Sequence, residues 1–175
     1  MPIKLFSLPV LAVFFFASCG NNTTNGIEKE TANKKTEKPA VGNYLSMKIN
    51  GKEWKADNEI FGAFHPEGYN KAIMLSGSKG PKDKNEQAFN INLYNTNGPG
   101  VFTIHDKNAD NSVIQIANLS EQNYLYGSMM GFNVKINITK ASKTPTIIEA
   151  TFEGELTGNA NDKLIITDGK FYYHD

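Results

Sequence analysis

FNVKINITK (132–140) and TIIEATFEGEL (146–156) are two neighbouring stretches in which apolar and polar residues alternate. Alternation with a period of two predicts strands with one buried face, because successive side chains point to opposite sides of a sheet. The two stretches therefore predict a pair of β-strands whose outer faces carry amide, hydroxyl and charged groups. The predicted inward set is Phe132, Val134, Ile136, Ile138, Ile148, Ala150, Phe152 and Leu156.

The same alternation continues on both sides of this pair, over residues 44–175. In LSMKINGKEWKA (45–56), the dipeptide Asn50-Gly51 is typical of a two-residue type I′ hairpin. QAFNINLYN (87–95) alternates cleanly and predicts a strand with asparagines on its outer face. About nine or ten short strands, turn signals between them and no helical pattern predict an all-β fold. We expect a single antiparallel β-sandwich or a flattened barrel.

The last predicted strand contains an irregularity. In KLIITDGKFYY (163–173) the apolar positions change parity across Asp168-Gly169. A chain reversal would need another full strand, and too little chain remains for one. The parity change therefore predicts a β-bulge, in which one extra residue shifts the alternation.

Residues 1–18 have the pattern of an export signal. Lys4 is the only charged residue among them, and Leu5–Phe16 is an apolar run. The run is shorter than the about 20 residues that a membrane-spanning helix needs. FASC (16–19) then resembles the lipobox of bacterial lipoproteins, although phenylalanine stands where leucine is usual. The resemblance implies cleavage before Cys19 and a diacylglycerol on its thiol.

Two other interpretations of this segment are weaker. An ordinary secretory signal would favour a small residue at position 16, where an A-x-A cleavage site needs one, and this chain has phenylalanine. An uncleaved membrane helix would need a longer apolar run. In lipoprotein sorting an aspartate after the cysteine favours the inner membrane, and Gly20 stands there instead. We therefore expect an exported protein on the outer membrane.

Residues 19–43 form the predicted lipidated tether. They are rich in Asn, Thr, Glu and Lys and have almost no bulky apolar residues. Such a segment cannot bury enough surface to offset its ordering entropy, so we expect it to be disordered.

Composition narrows the choice of partners. Basic and acidic residues balance at 18 each, and every basic residue is lysine. Arginine is the usual residue for two-pronged recognition of phosphate, so its absence argues against nucleic acid as a partner. Apart from the lipid on the single cysteine, Cys19, no cofactor is indicated.

Several short motifs together resemble an uncharacterised family of Bacteroidetes-type lipoproteins that carry a domain of unknown function. Two residues depart from the usual family sequence. Phe102 stands where tyrosine is common, and Ala150 stands where glycine often precedes the threonine. The resemblance implies a small β-sandwich on a lipid tether, and it supplies no catalytic residues. The motifs that carry it are MKINGKEWKAD (47–57), GPGVFTI (98–104), VKINITKAS (134–142), TFEGEL (151–156) and ITDGKF (166–171).

Aromatic residues are the best candidates for a ligand site. Tyr124 and Tyr126 alternate in one predicted strand and would share a face, and Trp54 follows the first hairpin. On a surface these rings would stack on sugars, and lipid-tethered sandwiches of the resembled kind often handle glycans. Buried, the same residues would belong to the core.

Metal and catalytic signals are weak. Asp106, Asn108 and Asp110 in HDKNADN (105–111) begin like a calcium loop, but the EF-hand glycine and glutamate are missing. A polar turn uses the same residue types. His65, Glu67, His105 and Asp106 match no zinc spacing, so only the fold could bring them together.

No catalytic motif such as G-x-S-x-G occurs, and we expect a protein that is not an enzyme. The leading interpretation is a lipid-anchored cell-envelope protein, a non-enzymatic binding or interaction module with an envelope protein or a glycan as partner. A glycan- or small-ligand-binding accessory lipoprotein is the alternative, and a hydrolase or metal-dependent enzyme is the third.

Overall fold

A computed structural model describes residues 42–65, 71–107 and 111–175. Regular structure in these residues consists of eleven β-strands, one or two more than the sequence predicted, and no helix. The all-β prediction is confirmed. The strands are β1 (Tyr44–Ile49), β2 (Lys52–Lys55), β3 (Asn58–Phe64), β4 (Ile73–Lys79), β5 (Gln87–Leu93), β6 (Gly100–His105), β7 (Val113–Ala117), β8 (Leu125–Gly127), β9 (Phe132–Lys143), β10 (Thr146–Thr157) and β11 (Lys163–His174).

The strands form two antiparallel sheets. The larger sheet has the order β2-β1-β11-β10-β9-β6, and the smaller has the order β3-β4-β5-β7-β8. The strand order does not close on itself, so the fold is a sandwich rather than a flattened barrel. Predicted inward residues from both sheets fill the space between them, among them Phe89, Ile91, Ile136, Phe152 and Ile166.

The central pair β9 and β10 is arranged as the sequence predicted. Ile136 lies opposite Phe152, and both side chains are buried. On the outer face Lys135 lies opposite Glu153. Thr139 is an extra residue in β9, because Ala150 pairs with Ile138 while the preceding residue of β10 pairs with Lys140.

The predicted hairpin and bulge are both present. Asn50 and Gly51 adopt φ angles of 47° and 78°, which is the left-handed geometry that a type I′ turn requires at both positions. The bulge lies at Asp168, which has a φ of 54°. Phe152 pairs with Gly169 and Gly154 pairs with Ile166, so one residue of β10 lies opposite two residues of β11. One extra residue in β11 therefore restores the buried parity of the last strand.

The two edge strands of the smaller sheet lie near opposite ends of the long strands of the larger sheet. Edge strand β3 contacts one end, where the Phe61 and Tyr173 ring centroids are 5.8 Å apart. Edge strand β8 lies at the other end, where Tyr126 forms a β-bridge with Gly158. We call the β3 side the proximal end, because β1 begins there with Tyr44 opposite Tyr172, and the β8 side the distal end.

No helix long and apolar enough to cross a membrane occurs in the described parts of the chain.

Candidate functional site

The outer face of the larger sheet is charged. Glu153 lies opposite Lys135 on neighbouring strands, and Lys48 forms a 2.8 Å ion pair with Asp168 at the bulge. This contact raises the pKa of Lys48 and lowers the pKa of Asp168, because the hydrogen bond between them favours both charged forms. Mixed lysine and glutamate on a sheet face keep it solvated and discourage edge-to-edge association.

The outer face of the smaller sheet is different, because its central strands β4, β5 and β7 place no charged side chain on it. Charged residues make up 21% of the chain, so an uncharged area of this size is a distinct feature. We call this surface the neutral face. Its residues are Met74, Ser76 and Ser78 from β4, Ala88, Asn90 and Asn92 from β5, and Val113, Gln115 and Ala117 from β7.

Polar groups on the neutral face lie in a row across the strands. Ser76 pairs with Asn90 on β5, and Asn90 pairs with Gln115 on β7. At the proximal side the row continues to Phe61 on β3, which pairs with Ser76. The Ser76 hydroxyl donates a 3.5 Å hydrogen bond to the Phe61 carbonyl oxygen. One hydroxyl and two amides therefore lie side by side, and Phe61 follows on the edge strand, where it lines a separate depression together with Tyr173 and Lys143.

Phe61 gives the row an exposed aromatic end. Its side chain is 47% exposed, and its ring meets the edge of Tyr173 at an interplanar angle of 64°. Gly62 makes this contact possible, because a Cβ atom there would lie 2.9 Å from the Tyr173 Cβ. Phe61 thus packs against Tyr173 while about half of its side chain stays exposed.

The amides of the neutral face are only partly satisfied. The side-chain carbonyl oxygens of Asn90 and Asn92 are buried and have no hydrogen-bond partner in the described part of the chain. A buried acceptor without a donor is costly, and native structures contain few of them. Next to Asn90 lies a depression of about 200 Å³, lined by Ser76, Ala88 and Gln115 from the central strands and by Glu59 from edge strand β3. The neutral face therefore combines a shallow depression with unused hydrogen-bonding capacity.

Two of the three aromatic residues predicted for a ligand site are in the core. Trp54 is 3% exposed, and its indole nitrogen donates a 2.8 Å hydrogen bond to Gln87. Tyr126 is 6% exposed, and its hydroxyl donates a 2.5 Å hydrogen bond to Asp162. Burial and this hydrogen bond together raise the pKa of Tyr126 to about 12. The expectation of a stacking surface is therefore corrected for both residues.

Tyr124 lies on the surface near the distal end, with 57% of its side chain exposed. It does not share an exposed face with Tyr126, because the Tyr126 side chain is buried and hydrogen-bonded to Asp162. The predicted tyrosine pair is therefore separated into one surface and one core residue.

The candidate histidines lie at opposite ends of the sandwich. His65 lines a depression together with Lys143, whereas His105 pairs with Asn133. Asn133 and Lys143 are separated by most of β9, which is roughly 30 Å of extended chain. His65 instead stacks on Tyr94, with ring centroids 6.4 Å apart. The fold does not bring the two histidines together.

The calcium candidates are described only in part. The Asp106 amide donates a 3.2 Å hydrogen bond to the Phe132 carbonyl oxygen, which places Asp106 directly after β6. Asn108 and Asp110 lie outside the described residues, as do Glu67 and Cys19. Within residues 42–65, 71–107 and 111–175, no group of three or more His, Cys, Asp or Glu could hold a metal ion.

Sequence reasoning did not select the row on the neutral face, although a signal was present. The alternation in QAFNINLYN (87–95) already placed Asn90 and Asn92 outward. IMLSGS (73–78) and SVIQIAN (112–118) also carry uncharged outward residues. The sequence does not show that β4, β5 and β7 are neighbours in one sheet, and only the strand order of the structure does so.

Comparisons with protein-family models, with curated proteins and with solved structures gave no match.

Proposed function

We propose that this chain is an exported cell-envelope lipoprotein whose β-sandwich is a non-enzymatic binding or interaction module. Lipid on Cys19 attaches it to a membrane, the outer membrane in preference to the inner, as the FASC sequence and Gly20 favour. The resemblance to uncharacterised Bacteroidetes-type lipoproteins supports the same assignment.

The observation that supports a binding role is the contrast in charge between the two outer faces, since each carries a depression, of about 370 Å³ on the larger sheet and about 200 Å³ on the neutral face. The larger sheet carries lysine and glutamate in opposition, such as Lys135 and Glu153, which suits a face in contact with water. On the neutral face the buried side-chain oxygens of Asn90 and Asn92 have no hydrogen-bond partner in the described residues. The outward positions of three adjacent strands there carry no charge, which distinguishes this face from the larger sheet.

The alternative, a glycan- or small-ligand-binding accessory lipoprotein, is favoured by one further observation. Phe61 is an exposed ring at the end of a row of amides, a combination of apolar and hydrogen-bonding groups that suits a small polar ligand. A hydrolase or a metal-dependent enzyme has no comparable support, because His65 and His105 lie at opposite ends of the sandwich.

Lipid anchoring is tested by Cys19→Ser, followed by separation of membrane and soluble fractions. We expect the wild-type protein in the membrane fraction and the variant in the soluble fraction, because one acyl chain or none binds only marginally. A variant that remains membrane-bound would contradict the anchor.

The binding role is tested by placing a photo-crosslinking amino acid on each outer face in intact cells. Ala88 is an exposed position on the neutral face, and Val101 is an exposed position on the larger sheet. We expect adducts from Ala88 and not from Val101. Equal labelling at both positions, or none at either, would contradict the neutral face as the binding surface.

A further inference from the structure

The neutral face has the chemistry of a carbohydrate-binding surface. Building on the proposed binding function, we propose that it binds an uncharged oligosaccharide. In this arrangement Asn90 and Gln115 form hydrogen bonds with sugar hydroxyls, and Phe61 packs against the apolar face of a ring.

The amide row matches the hydrogen-bonding pattern of sugars. Each amide offers an acceptor oxygen and two N–H donors, and a hydroxyl both donates and accepts. Opposed residues on neighbouring strands have Cβ atoms about 4.5–5.5 Å apart, so Ser76, Asn90 and Gln115 are evenly spaced. Three strand spacings from Phe61 to Gln115 span about 14 Å, which is longer than one sugar ring. The row therefore suits a chain of sugars that lies across the strands.

The unsatisfied amide oxygens indicate where ligand hydroxyls would act. Nothing in the described residues donates to the side-chain oxygens of Asn90 and Asn92. The terminal torsion of asparagine is broad, so a modest rotation turns either oxygen outward. A sugar hydroxyl at that point supplies the missing donor. In the free protein an oxygen turned outward accepts a hydrogen bond from water, and a sugar hydroxyl replaces that water as the donor.

Charge argues for an uncharged ligand. An anionic sugar or a phosphate would call for lysine in the row, and the outward positions of β4, β5 and β7 have none. Glu59 lines the depression from edge strand β3, and its exposed carboxylate forms a 2.5 Å ion pair with Lys82, so the two charges at this rim are of opposite sign.

Composition also argues against a protein partner on this face. The cores of protein interfaces are rich in aromatic residues, methionine and arginine. On the neutral face only Met74, Val113 and the alanines are apolar, and the centre of the row is amide and hydroxyl. Phe61 at the edge provides one ring, as stacking on a sugar requires.

The experiment uses the full-length lipoprotein in detergent and a panel of neutral hexasaccharides of glucose, xylose, mannose and galactose. Hexagalacturonate serves as the anionic comparison. We expect at least one neutral hexasaccharide to bind, and Gln115→Ala and Phe61→Ala each to weaken that binding tenfold or more. Asn137→Ala is the matched control, because Asn137 is an amide on an outer strand position of the larger sheet, and we expect it to leave the affinity unchanged.

Several results would overturn the assignment: no neutral hexasaccharide binds, hexagalacturonate binds equally well, or Asn137→Ala weakens binding as much as Gln115→Ala. Thermal melts establish that each variant is folded, and Asn90→Ser provides a second, milder change in the row. If the panel is negative while the Ala88 position crosslinks to a protein in cells, the glycan assignment is wrong and the binding function stands. If both experiments are negative, both proposals are wrong.

Discussion

The ring of Phe152 on β10 stacks on the ring of Phe89 on β5, with centroids 5.4 Å apart and an interplanar angle of 19°. This contact joins the central strands of the two sheets. Trp54 extends the cluster, since its ring lies 6.1 Å from that of Phe89. Removal of one ring would leave the others without a packing partner at the centre of the sandwich.

Phe152→Ala should therefore lower the free energy of unfolding by about 3–5 kcal/mol, as truncation of a buried aromatic residue does. Urea unfolding monitored by tryptophan fluorescence measures the change. As a control, Val101→Ala should change stability by less than about 0.5 kcal/mol, because Val101 is 61% exposed. A loss below about 1 kcal/mol for Phe152→Ala would mean that its ring does not support both sheets.

The first hairpin gives a prediction about backbone conformation alone. Gly51 has a φ of 78°, and a Cβ atom there would meet nothing within 4 Å. A Cβ atom at Gly98 would also meet nothing within 4 Å, but the φ of Gly98 is not in the left-handed region. Gly51→Ala should destabilise by about 1–2 kcal/mol through left-handed strain, whereas Gly98→Ala should have no effect or stabilise slightly. Equal effects of the two substitutions on urea unfolding would exclude a type I′ turn at Asn50-Gly51.

Much of the fold was predictable because alternation acts locally. Burial at Phe89, Ile136 and Phe152 follows from the period of two, and the bulge at Asp168 follows from a change of parity. The local sequence also determines the turn at Asn50-Gly51. In each case the physical cause lies within a few residues of its effect.

The candidate site was not predictable for the opposite reason. Ser76, Asn90 and Gln115 become neighbours only because β5 lies between β4 and β7 in one sheet, and no local pattern encodes that order. Trp54 and Tyr126 were selected as aromatic residues with a polar handle. Both residues form their polar contact inside the fold: Trp54 donates a hydrogen bond to Gln87, and Tyr126 donates one to Asp162. Neither partner can be identified from the sequence.

Calcium should have no effect on stability. The sequence of this loop lacks the glycine and the glutamate that an EF-hand requires. We expect the same melting temperature with millimolar calcium and with a chelator, and Asp106→Asn as a control should not alter the comparison. A clear rise in melting temperature with calcium, lost in Asp106→Asn, would establish a calcium site in this loop.

Alkaline pH should weaken the distal end through Tyr126. Its pKa is about 12 in the folded protein, because of burial first and the hydrogen bond to Asp162 second, and 10.0 is its ordinary value. Since the folded pKa is raised, this stabilisation is complete below pH 10 and disappears as the pH rises toward 12. Between pH 9 and pH 11 the free energy of unfolding should fall by about 1 kcal/mol because of Tyr126.

Comparison with Tyr126→Phe isolates this effect from the other tyrosines. At pH 8 the variant should be less stable than the wild type by about 1–3 kcal/mol, because Asp162 loses the hydroxyl donor. The difference should shrink as the pH rises from 9 to 11, since the variant has no proton to lose at this position. Urea unfolding at several pH values measures it. A constant difference over this range would mean that the Tyr126 hydroxyl titrates alike in the folded and unfolded chains.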